Sequence, residues 1–123
     1  MGKSQRNKGQ RGERELCSLL SDELGTVVKR NLSQTRAGGA DCIEIPNWSI
    51  EIKFQEALKL NDWWQQTLDQ CSKDEQPILF YRKSRMPWKA MLKLSSVNKD
   101  FKGMHYTCIV DFNTACMLIR ESL

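Results

Sequence analysis

The stretch Gly39-Ala40-Asp41-Cys42-Ile43-Glu44-Ile45, then Pro46-Asn47, then Trp48-Ser49-Ile50-Glu51-Ile52-Lys53-Phe54, decides the fold. Two short apolar runs flank a Pro-Asn pair, which predicts strands over 41–45 and 48–54 joined as an antiparallel hairpin. Alternation along the second run sends Ile50, Ile52 and Phe54 to one face and Glu51 and Lys53 to the other. One face is core, and the other carries a carboxylate beside an ammonium. Asp41 opens the neighbouring strand and adds another carboxylate. Oxygen ligands of this kind suit a hard cation such as Mg²⁺. The backbone carbonyl of Ile52, between Glu51 and Lys53, can supply one more. A lysine beside such an ion can orient a water or offset charge on a phosphorane-like transition state. An exposed Glu–Lys pair on an edge strand would read the same way and contribute less than about 1 kcal/mol.

Working outward, residues 1–8 are polar and predict a disordered basic tail, with one domain over 9–123. Leu16, Leu20 and Leu24 recur at helical spacing, so a helix is expected from about 10 to 24, stopped by Gly25. A short strand over 26–30 and a polar loop over 31–39 follow. After the hairpin, Asn61 is a candidate N-cap for a helix to 72. Strands are expected near 78–82 and 88–94, a helical turn over 95–101, and late strands or a short helix over 105–110 and 115–119. The order predicts an α/β sandwich around a small mixed sheet flanked by helices.

With 123 residues and 40% apolar content, the chain can build one core. No run approaches the roughly 20 apolar residues of a membrane span, and the polar, basic N-terminus is not that of a signal peptide. Five cysteines without a C-x-x-C pair read as reduced thiols of an intracellular protein, and His105 stands alone. The net charge of +4 is unevenly spread. Residues 1–14 hold five basic residues against Glu13, and residues 82–102 hold seven against Asp100. Basic segments around an acidic centre suit a polyanion held over a metal site, and equally a solvated surface.

The pair Asp41 and Glu51-Ile52-Lys53 resembles the core motif of the PD-(D/E)XK nuclease superfamily, with Ala40 where the motif name has Pro. The segment Lys8-Gly9-Gln10-Arg11-Gly12-Glu13-Arg14-Glu15 is similar to the start of small Holliday-junction resolvase-like nucleases of archaea and phages. Trp63 with Gln66, and Arg82-Lys83-Ser84-Arg85-Met86-Pro87-Trp88, extend the resemblance to phage relatives across about 8–94, leaving 95–123 without a family reading. The resemblance implies a restriction-endonuclease-like core and a Mg²⁺-dependent DNA endonuclease, with Mn²⁺ able to substitute. The catalytic set it implies is Glu13, Asp41, Glu51, Lys53 and Gln66, with Glu13, Asp41, Glu51 and Ile52 at the metal and Glu15 competing with Glu13. Phosphate contacts would come from Lys8, Arg11, Arg14, Lys29, Arg30, Arg36, Arg82, Lys83 and Arg85, with Ser33 and Thr35 as weaker candidates. Cleavage would leave a 5′-phosphate. Branched DNA as substrate, a homodimer, and the cytoplasm of a bacterial host for a phage protein follow from the same likeness. A less structure-selective nuclease and a non-catalytic nucleic-acid-binding module on the same fold are the alternatives. Trp63 and Trp64 read as core or dimer contacts rather than base-stacking platforms.

Overall fold

The computed structural model describes residues 3–30, 42–43 and 45–123. Helix α1 (Lys3–Leu24) leads into β1 (Lys29–Arg30), β2 (Cys42–Ile43) and β3 (Trp48–Phe54). Helix α2 (Leu60–Gln70) follows, then β4 (Gln76–Arg82) and β5 (Lys89–Lys93). Two 3₁₀ turns, Leu94–Ser96 and Lys99–Phe101, lead to β6 (Thr107–Asp111) and α3 (Phe112–Ser122). The six strands lie in chain order in one sheet. Among the described residues, only β3 and β4 pair in parallel, with Glu51 beside Leu79 and Lys53 beside Tyr81. A parallel neighbour needs a crossover, and α2 supplies it.

The sheet is covered on both faces at its centre. Ile50, Ile52, Phe54, Ile78, Phe80, Ala90 and Leu92 pack under α1 and α3, against Leu16, Leu20, Ala115, Cys116 and Ile119. On the opposite face Leu79 and Tyr81 pack with Trp63 of α2. Strand β3 is therefore an interior strand, and the reading of residues 51–53 as an exposed edge pair does not survive. Ser49 and Glu51, on the α2 side of β3, are buried.

Several boundaries differ from the sequence expectation. Helix α1 begins at Lys3, where a disordered tail was expected over 1–8. Its first turns carry no apolar stripe, but the Lys8 ammonium is held by the Glu56 carboxylate and by Ser84 Oγ, the latter at 3.1 Å, so tertiary contacts supply what local sequence lacks. Gly25, at φ +67°, ends the helix in the left-handed region, and its N–H donates to Ser21. Helix α2 starts one residue before Asn61, and Lys59 at its N-cap makes no side-chain cap. Leu60 packing onto the Trp63–Tyr81 cluster outweighs a cap there. The ambiguous run 115–119 belongs to α3, whose N-cap Asp111 accepts from the Thr114 N–H. Cys17, Cys71, Cys108 and Cys116 form no disulfide among the described residues, and His105 is exposed. No helix among the described residues is long and apolar enough to cross a membrane.

Candidate active site

Strand alternation places Glu51 and Lys53 on one face of β3, as expected, with Lys53 Nζ 3.6 Å from Glu51 Oε2. The Glu51 side chain is 8% exposed and that of Lys53 19%. A buried carboxylate costs several kcal/mol unless a cation or hydrogen bonds compensate it, so this pair is held for a reason beyond surface solvation. Lys53 stands at the C-terminal end of β3, where the strand opens into a cleft of about 780 Å³. Glu13, Lys8, Arg11, Ile52 and Phe54 line the same cleft.

Helix α1 reaches the cleft because Gly12 lies directly on Phe54. A Cβ at Gly12 would stand 2.5 Å from the Phe54 Cβ, closer than real side chains approach. The next residue, Glu13, is fixed by Arg30 at the end of β1, whose Nε donates to Glu13 Oε2 at 2.9 Å. The competing acid, Glu15, is turned elsewhere. It accepts from Arg82 Nε and Nη2, each at 3.1 Å, and from Trp88 Nε1 at 2.7 Å. Burial works to raise the Glu15 pKa, but the hydrogen bonds from Arg82 and Trp88 and the charges of Arg82 and Arg11 outweigh it. Its carboxyl titrates below the ordinary range.

The basic residues divide into engaged and open groups. The Arg82 guanidinium lies 4.0 Å from the Phe54 ring centroid and 5.4 Å from that of Trp88, so pairing with Glu15 and stacking on two rings occupy it. Arg30 is engaged by Glu13. Lys8 lies over the Phe54 ring, 4.8 Å from its centroid, and bonds Glu56 and Ser84. Those partners hold the Glu56 carboxyl at a pKa of about 2, through the Lys8 hydrogen bond first and the Ser84 side-chain and backbone bonds next. Arg14, Lys29, Lys83 and Arg85 are exposed. Glu56, Ser84 and the stacking role of Phe54 were not foreseen. Their partners are 28 to 76 residues away in sequence, and no local spacing encodes such contacts.

Gln66 is exposed on α2 and does not line the cleft. Trp63 is buried while Gln66, three residues on, is exposed, so of the two only Trp63 meets the sheet. The buried stripe of α2 runs through Trp63 and Thr67, four apart, and leaves Gln66 outside it. Trp63 meets the Tyr81 ring at a centroid distance of 6.4 Å and belongs to the core. Asp41, Arg36, Ser33 and Thr35 lie outside the described residues. The backbone of Cys42 pairs with Ile50, the residue before Glu51. Among the described residues no three His, Cys, Asp or Glu side chains converge as a metal cluster.

A family model described as "Phage putative PDDEXK endonuclease" matches residues 4–116. The chain belongs to this endonuclease family. The match runs past residue 94, so β6 and the first half of α3 are part of the PDDEXK unit rather than an addition to it. The chain is also similar to a solved structure from Archaeoglobus fulgidus, Hjc, a Holliday junction resolvase from an archaeal hyperthermophile. The two share 14% identity at a TM-score of 0.59, over 89% of this chain and 98% of the other. That likeness shows the fold, the restriction-endonuclease-like core implied by the sequence resemblance. No curated protein matches the chain by sequence. Membership of the PDDEXK family makes this a nuclease chain, and nucleases of the superfamily generally use divalent metal ions.

Proposed function

We propose that this protein is a Mg²⁺-dependent DNA endonuclease that prefers branched duplexes and acts as a homodimer. The observation that carries the reading is the buried Glu51 carboxylate 3.6 Å from Lys53, which lines a cleft together with Glu13, Lys8 and Arg11. The donor set consists of carboxylate oxygens, which suits a hard divalent cation. Glu13, Glu51 and the backbone carbonyl of Ile52 would hold it, with Asp41 as the further acid supplied by the motif. When bound, the ion supplies Lewis acidity toward a phosphoryl oxygen and acidifies a water. The Lys53 ammonium orients the attacking water and offsets charge as it builds on the phosphate, leaving a 5′-phosphate product. Arg11, Arg14, Lys29, Lys83 and Arg85, which form no ion pair among the described residues, contact the DNA backbone. Gln66 is the weakest member of the proposed set, because it stands outside the cleft.

Two copies related by a two-fold axis would place two such clefts on the paired strands of a junction. A phage family supports action in the cytoplasm of a bacterial host. The test is cleavage of a mobile four-way junction and of linear duplex of the same sequence, with Mg²⁺, Mn²⁺ or chelator, by wild type and Lys53→Ala. Junction cleavage that needs the metal and is lost in Lys53→Ala, with DNA binding retained, is the expected result. Full cleavage by Lys53→Ala removes the central assignment. Equal cleavage of both substrates leaves a less structure-selective nuclease, and no hydrolysis under any condition leaves a binding module.

A further inference from the structure

The basic run of residues 82–102 splits between the two ends of the sheet. Arg82 ends β4 and Lys89 begins β5 at the cleft end. Lys93 ends β5 at the far end, beside Gln76 and Pro77 at the start of β4. There Lys93, Lys99 and Lys102 line a second pocket of about 440 Å³ with Ser95, Ser96 and Glu75. Three ammonium groups share it with one carboxylate. Among the described residues none of these lysines forms an ion pair, whereas Lys8, Arg30, Lys53 and Arg82 at the cleft end each have one. The 3₁₀ turns that carry them are held in place. The Leu94 N–H donates to the Tyr106 carbonyl at 2.9 Å, and Asn98 Oδ1 accepts from the Asp100 N–H at 2.9 Å.

Uncompensated lysines with hydroxyl groups beside them form the chemistry of a phosphate contact. Strand alternation and the pairing of β3, β4 and β5 put Lys93 on the sheet face that carries Lys53. The seven residues of β4 separate the two ends of the sheet by about 20 Å at roughly 3.3 Å per residue. Phosphates along a duplex strand advance by about 3.4 Å, so that gap corresponds to about six base pairs.

We propose that the Lys93–Lys99–Lys102 pocket is a second, non-catalytic anchor that takes a phosphodiester of the duplex arm whose other end lies in the cleft. This rests on the nuclease reading. It adds a contact about half a helical turn from the scissile bond, and it assigns a role to the segment after β5.

The test uses the full chain in chelator, with a fluorescent duplex arm, comparing wild type with a Lys93→Gln, Lys99→Gln, Lys102→Gln triple variant. Each lost phosphate contact lowers the slope of log affinity against log salt by about 0.9. Because the pocket holds one phosphodiester, the triple variant is expected to lose about 0.9 from that slope. Hydroxyl-radical footprinting is expected to show loss of protection about six base pairs from the cut position, with protection at the cut retained. Lys99→Glu, a single change at an exposed side chain, should shift slope and footprint the same way and guards against misfolding of the triple variant. An unchanged slope and footprint in both variants overturns the anchor. So does a pocket that binds inorganic phosphate in wild type only, while DNA affinity is indifferent to the substitutions, because the anion would then be free phosphate. If wild type neither binds nor cleaves DNA, the nuclease reading itself fails. Wild-type binding that the variants match fails the anchor alone.

Discussion

Gly12 lies on Phe54 with no room for a methyl group: a Cβ added there would stand 2.5 Å from the Phe54 Cβ and 3.1 Å from its Cδ2. This contact sets how close α1 sits to β3, and therefore where Glu13 stands relative to Lys53. Alanine is the better helix former by about 1 kcal/mol, but overpacking a tight contact costs about 1–3 kcal/mol. Gly12→Ala should be destabilised by urea unfolding and should lose cleavage beyond its loss of stability. Gly9→Ala, with nothing within 4 Å of its added Cβ, should gain up to about 1 kcal/mol. A stabilised Gly12→Ala would refute the close approach.

Glu13 and Glu15, two residues apart, should fail in different ways. Glu15→Ala strips two hydrogen bonds from Arg82 and one from Trp88, so unfolding free energy should fall by about 1–3 kcal/mol. Glu13→Gln weakens one partly exposed pair with Arg30, worth about 0–1 kcal/mol, and should lower metal-stimulated cleavage on the order of 10²-fold. Cleavage rate and urea midpoint, measured on both variants, separate the roles. Interchanged outcomes would make Glu15 the metal acid.

The Lys8–Glu56–Ser84 contact should give the N-terminal turns of α1 an acid-sensitive hold. The Glu56 pKa is depressed to about 2 from its ordinary 4.5, so its stabilisation is present above pH 4.5 and is lost as pH falls toward 2. Glu56→Gln should be less stable than wild type at neutral pH, with the gap closing across that window. Hydrogen exchange of the amides in the first turns of α1, followed against pH, reads this directly. A gap that widens toward low pH would contradict the assignment.

Trp63 should behave as a core residue and not as a DNA contact. It is 3% exposed and packs on Leu79 and Tyr81. Trp63→Ala should cost about 3–5 kcal/mol, while the affinity of the remaining folded molecules for DNA stays the same by anisotropy. A loss of affinity at full folding would place the indole in the DNA contact.

Strand β3 was legible to the residue because apolar and polar residues alternate without interruption over 48–54. The start of α1 was not, because residues 3–10 hold no apolar stripe and their helix depends on Lys8 meeting Glu56 and Ser84. The helix α3 was ambiguous because a short apolar run over 115–119 fits either period. Asp111 capping Thr114 was the overlooked signal. The exposure of Gln66 was not legible, because a three-residue spacing from Trp63 does not reveal which side of the helix the sheet selects.

The sequence alone determined the chemistry available. An acid, a Glu-x-Lys triplet and a helix-borne acid with basic flanks restrict the chain to a small set of reactions, because charge type and strand alternation are local properties. The tertiary structure decided which groups are committed. Glu13 rather than Glu15 faces the cleft, Arg82 and Arg30 are engaged by carboxylates, and Lys93, Lys99 and Lys102 gather at the opposite end of the sheet. Those choices join residues 17 to 76 apart in sequence, and only the folded backbone brings such groups within hydrogen-bonding distance.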